Sequence, residues 1–156
     1  MSLNTKNKNN PVYVNPSTKI YVLIFGVLTG VGGILHGIFE TLQGNKPTEG
    51  FVLTGIGAVT LGPNYLLTGI FAIIVGLSII VWTIGFIHKK NGALIFLILA
   101  IVLFLVGGGI AQVLGFIIAS AMATQINSPL SWWKKTLPLR TRRIFARLWL
   151  PMLILG

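Results

Sequence analysis

Three stretches of this chain contain no lysine, arginine, aspartate or glutamate at all: Ile20–Phe39, Tyr65–Ile87 and Ala93–Ala123. Twenty helical residues cover roughly 30 Å, the thickness of a bilayer's hydrocarbon core. Lipid offers no hydrogen bonds to the backbone, so segments of this length can cross it only by satisfying their own amides, as a helix does. Composition points the same way. Of the 156 residues, 54% are apolar and 9% charged, whereas a water-soluble domain usually carries about 25% charged residues. The expected fold is therefore all-α, a polytopic transmembrane helix bundle in one domain.

Residues 1–19 are polar and Asn-rich, with Lys6, Lys8 and Lys19, and read as a disordered cytoplasmic tail. Residues 20–126 form the expected transmembrane domain. The first apolar run ends at Ile38-Phe39-Glu40 without a small-residue cleavage site, so it reads as a retained span rather than a signal peptide. A polar loop, Glu40–Gly50, holds both acidic residues, Glu40 and Glu49. Phe51–Gly62 is apolar but too short for an ordinary span, and reads as a re-entrant or interfacial segment before Pro63-Asn64. The run Tyr65–Ile87 stops at the basic turn His88-Lys89-Lys90-Asn91-Gly92.

As one straight helix, Ala93–Ala123 would reach about 46 Å, well beyond the bilayer core. Gly107-Gly108-Gly109 lies at its middle, and each glycine costs a helix roughly 1 kcal/mol relative to alanine. Charge decides between one crossing and two. The N-terminal tail and the Lys89-Lys90 turn are basic, and the loop between them is acidic. The positive-inside rule then places the N-terminus and that turn in the cytoplasm. A fold-back at the glycines returns the most basic segment to the same side; a single tilted crossing would not. The favoured architecture has about four membrane helices, the third and fourth a short hairpin with arms of roughly 21 Å, in a multi-pass protein of the cell (plasma) membrane.

Residues 127–156 mix Trp132, Trp133 and Trp149 with Lys134, Lys135, Arg140, Arg142, Arg143 and Arg147. Tryptophan prefers the headgroup level, and basic side chains are attracted there by anionic lipids. This segment reads as a cytoplasmic interfacial anchor, with Trp132, Trp133, Lys134, Lys135, Arg140, Arg142 and Arg143 as its lipid-surface residues. From Leu148 the chain is apolar again, as the opening of a shortened further span or an interfacial tail. The net charge of +10 thus implies anionic headgroups as partner; no nucleic-acid recognition module is visible.

Small residues recur on one face of each apolar run. Gly26, Gly30, Gly33 and Gly37 fall within about 60° of one another around a helix. Gly69 and Gly76 recur with Thr83 at every seventh position, and Ala111, Gly115, Ala119 and Ala123 at every fourth. In lipid, helices associate through close contact, which small residues permit. These seams suit packing within the bundle, and equally a membrane-protein partner or a second copy.

Chemistry-bearing residues are few. His36 and Glu40 share a helix face at i, i+4, and Gln112 is the one amide well inside an apolar run. Ionisable groups at membrane depth are ligand or ion candidates, although snorkelling or an anchoring hydrogen bond would account for His36 and Glu40, and helix capping for Gln112. Catalytic zinc needs about three protein ligands, and the chain has two histidines, two acidic residues and no cysteine. No serine has a neighbouring base, and the glycine run lacks the lysine of a phosphate loop. Neither a metal nor another cofactor is implied.

The Gly-rich first run, His36-Gly37-x-x-Glu40-x-x-Gln43-Gly44-Asn45, the turn Lys89-Lys90-Asn91-Gly92 and the run Leu105-Val106-Gly107-Gly108-Gly109 resemble a group of prokaryotic polytopic membrane proteins without an assigned activity. The resemblance extends from the first run to about Trp133. It implies a membrane fold that continues into a further apolar segment, and it carries over no functional residues. The leading functional expectation is a non-enzymatic structural, regulatory or accessory membrane subunit. A small transporter or channel component using His36, Glu40 and the break near Gln112 is the alternative, and a membrane-embedded enzyme a distant third.

Overall fold

A computed structural model describes residues 14–48, 51–52, 58–59, 61–108, 111–129 and 131–155; for the strand residues and for 111–114, 132–134, 149–150 and 152–155 it describes the backbone alone. The described residues form six helices: α1 (Pro16–Leu42), α2 (Tyr65–Gly85), α3 (Gly92–Leu105), α4 (Ala111–Ala123), α5 (Ser131–Thr136) and α6 (Leu139–Leu155). Two two-residue strands, β1 (Phe51–Val52) and β2 (Ala58–Val59), lie between α1 and α2.

The first helix starts at Pro16, before the expected Ile20, because its N-terminus has its own stop signal. The Asn15 side chain accepts a hydrogen bond from the Thr18 amide at 3.3 Å, and proline occupies the first turn, where its missing amide is not needed. The polar tail therefore yields its last residues to the helix; residues 1–13 lie outside the described set. With 27 residues, α1 is roughly 40 Å long. The 21 residues of α2 give about 31 Å. Asn64 caps that helix by accepting from the Leu67 amide at 2.8 Å. By length and composition, α1 and α2 are the two described helices able to cross a membrane.

The connection between them carries a short antiparallel strand pair in the apolar segment Phe51–Gly62. β1 and β2 pair antiparallel, Phe51 opposite Val59 and Val52 opposite Ala58. Below them the loop is tied by hydrogen bonds from the Tyr65 amide to the Lys46 carbonyl at 3.0 Å and from the Thr48 amide to the Pro63 carbonyl at 3.3 Å. The Thr48 hydroxyl also donates to the Gly62 carbonyl, at 2.5 Å. Residues 53–57 and 60 of the expected segment lie outside the described set.

The long apolar run is interrupted: α3 ends at Leu105 and α4 begins at Ala111. The α3 terminus explains the stop. Gly107 takes a left-handed φ of +90° and the Gly108 amide returns to the Leu103 carbonyl at 2.8 Å, the six-to-one bond of a Schellman cap. Beyond the break α4 packs back along α3, where Phe96 meets Phe116 edge-on with ring centroids 6.2 Å apart.

Packing joins α1 to α2, α2 to α3, α3 to α4 and α4 back to α1. Val22, Ala72, Ile79, Phe96, Leu103 and Ala119 fill the enclosed core. One end of this body is stapled by bonds from the Asn15 amide to the Ile126 carbonyl at 2.7 Å and from Asn127 Nδ2 to the His88 carbonyl at 3.1 Å. The start of α1, the basic turn after α2 and the end of α4 therefore share that end. The β-pair and the Gly107 break lie at the other, where the Leu61 amide donates to the Leu105 carbonyl at 3.0 Å. The segment 127–156 is largely helical, in α5 and α6. Its apolar tail from Leu148 continues α6 rather than opening a new element.

Candidate functional site

The α1–α2 contact is built on glycine meeting backbone. A methyl group on Gly37 would sit 2.6 Å from the Gly69 carbonyl oxygen, and one on Gly76 2.7 Å from the Gly30 carbonyl. One on Gly26 would meet the Thr83 side chain, at 2.5 Å from Cγ2. Gly33 points elsewhere: its neighbour is Leu103 of α3, 2.6 Å from the position of an added Cβ. The helices approach because no side chain intervenes.

The same close approach brings Glu40 inside. It lies in the last turn of α1 and is only 3% exposed. Its side chain is hydrogen-bonded to Thr68 of α2. The Thr68 hydroxyl also lies 3.1 Å from the Asn64 and Tyr65 carbonyls of its own helix. On the third side the carboxyl presses on Gly107: an added Cβ there would lie 2.7 Å from Oε2 and 2.8 Å from the carboxyl carbon. Among the described residues Oε2 has no hydrogen-bond partner. Glu40 thus joins three elements: the end of α1, the start of α2 and the cap of α3.

Of the other candidates, His36 and His88 are placed by the structure and Gln112 by its backbone alone. His36 is half-buried one turn earlier on α1. Gln112 lies in the first turn of α4, and its side chain is outside the described set. His88 belongs to the opposite end, where its carbonyl receives Asn127. No group of three metal-ligating side chains occurs among the described residues. The sequence reading grouped Glu40 with the break at Gly107–Gly109 but missed Thr68: a threonine near a helix start carries no sign of the carboxyl it meets.

Arg140, Arg143 and Arg147 are exposed on α6. At 100° per residue they share one side of the helix, with the exposed Phe145 opposite and the exposed Leu148 at its flank. Trp132, Trp133 and Lys134 contribute backbone to α5, their side chains lying outside the described set, and Lys135 is exposed. Arg142 is half-buried. A shallow apolar groove lined by Leu97, Ala100, Ile101, Phe104, Phe116 and Ile117 runs between α3 and α4.

Comparison with protein-family models, curated proteins and solved structures finds no match.

Proposed function

We propose that this chain is a multi-pass protein of the cell membrane, with α1–α4 as four membrane helices and its N-terminus in the cytoplasm, serving as a non-enzymatic structural, regulatory or accessory subunit. The observation that carries this reading is the apolar outer surface of α1 and α2 beside small and polar residues at their contact. Leu28, Leu35, Phe39, Phe71, Ile74, Val81 and Ile84 face outward, while Thr18, Thr29, Thr68, Thr83 and Glu40 face inward with the glycines. Water would penalise so many exposed large apolar side chains on two helices. Lipid accepts them, and close small-residue contact then supplies the cohesion that hydrophobic burial supplies in water.

The positive-inside rule orients the bundle. The basic turn and the end of α4 share one end of the body, which suits a hairpin of α3 and α4 whose short arms reach into the headgroups. α6 lies along the cytoplasmic surface, with Arg140, Arg143 and Arg147 toward anionic headgroups, Phe145 on the opposite side toward the acyl chains and Leu148 at the boundary. Absence of cysteine makes the test clean. A cysteine at Ser131 should react with an impermeant maleimide from the cytoplasmic side only, and one at Lys46 from the outside only. Labelling of both positions from the same side would refute the orientation. Recovery of the chain as a detergent-free soluble monomer would refute the membrane reading itself.

A further inference from the structure

Glu40 presents an electrostatic problem that the bundle's packing role does not need. Its carboxyl is enclosed, with Thr68 as neighbour and one oxygen left without a hydrogen bond among the described residues. No basic side chain of the surrounding helices can neutralise it, because α2, α3 and α4 contain no lysine, arginine or histidine. On α1 the nearest ionisable group is His36, one turn back, and Lys46 stands exposed in the loop. A buried ion without a partner is strongly unfavourable, and intramembrane carboxyls of this kind mark ion or proton sites. The surroundings offer oxygen rather than nitrogen. The Thr68 hydroxyl, which donates to the empty carboxylate, can turn its proton to the Asn64 or Tyr65 carbonyl when a cation arrives, freeing its oxygen as a ligand. Beside the carboxyl the α3 backbone leaves helical geometry at Gly107. Interrupted helices and carboxylates are the elements from which membrane cation sites are built.

The geometry points to Glu40 as the binding site of one monovalent cation, held where the end of α1 meets Thr68 and the Gly107 cap, its single positive charge supplied as a proton or as an alkali-metal ion. With a single carboxylate and no cluster of ligating side chains among the described residues, a divalent ion would remain half-neutralised. The site lies inside the bundle proposed above and rests on that reading for its lipid surroundings. Its test is a binding measurement in detergent, whose failure would leave the labelling result untouched.

The test follows thermal unfolding of the purified full chain at constant ionic strength in choline, sodium and potassium chloride, each titrated from pH 5 to 8. Saturating the site should raise the midpoint by on the order of 4 °C, and Glu40→Gln, isosteric and uncharged, should abolish the response. A response to sodium or potassium at fixed pH identifies an alkali ion. A response to pH alone, equal in all three salts, identifies a proton, which the infrared carboxylic-acid band lost in Glu40→Gln would mark independently. Thr68→Val keeps the carboxyl and should move the half-saturation point by about threefold or more, which covers the case of a Glu40→Gln chain that does not fold. Indifference of the wild type to all three cations, an equal response in Glu40→Gln, or an unmoved half-saturation point in Thr68→Val overturns the assignment.

Discussion

Replacing Gly37 with alanine puts one methyl group where two helix backbones touch. The new carbon would lie 2.6 Å from the Gly69 carbonyl oxygen and 3.0 Å from the Ile73 amide nitrogen, against 3.4 Å or more for ordinary contact. Neither neighbour is the far end of a flexible side chain, so the helices themselves must part, by about 0.8 Å along that direction (3.4 − 2.6). A gap of that size forfeits a quarter to a half of the dispersion attraction along the seam. Overpacking of this kind costs about 1–3 kcal/mol, here at the upper end because backbone must move, while alanine returns about 1 kcal/mol of helix propensity. The net loss is about 2 kcal/mol, or a fall of about 4–8 °C in unfolding midpoint for a chain of this size. Gly85 supplies the control: it too is helical, at the end of α2, and nothing lies within 4 Å of its added methyl. The assay is unfolding in one detergent, by circular dichroism and by denaturant titration. Gly37→Ala should be destabilised and Gly85→Ala unchanged or slightly more stable. If the two variants unfold together, the close α1–α2 contact does not hold the body together and the reasoning fails.

Two other outcomes follow from single contacts. Gly107→Ala should lose more than about 1 kcal/mol, combining a left-handed φ with collision against the Glu40 carboxyl; adding Glu40→Ala should recover only the collision, so a double-mutant cycle with no coupling would refute the contact. Asn15→Ala should lose about 1 kcal/mol by leaving the Thr18 amide without its cap, visible as faster hydrogen exchange in the first turn of α1 and not in α2.

The helices were legible because a long run without charge admits few other solutions once lipid is the solvent. Spacing also placed Gly26, Gly30, Gly33 and Gly37 on one side of α1. It could not say which neighbour each meets: Gly33 faces α3 while those around it face α2, a consequence of how the bodies cross rather than of the α1 sequence. The strands between α1 and α2 were not legible, since two-residue elements carry no periodicity and their apolar composition resembles that of a short helix. Glu40 stood at the edge of an apolar run, where a side chain that reaches out to water is the ordinary case. Its enclosure depends on Gly107, far along the chain, and on a Schellman cap that a run of glycines does not spell out.

The bond from the Asn15 amide to the Ile126 carbonyl has a consequence for the order of assembly. α1, made before α4, is stapled to the end of that helix, with α2 and α3 between them in the chain. Until residue 126 has emerged, the leading edge of α1 has no acceptor there, and the ring of helices stays open on the side where α4 will dock. Nascent chains arrested before and after that point should therefore differ in protease resistance at the start of α1 rather than at the growing end.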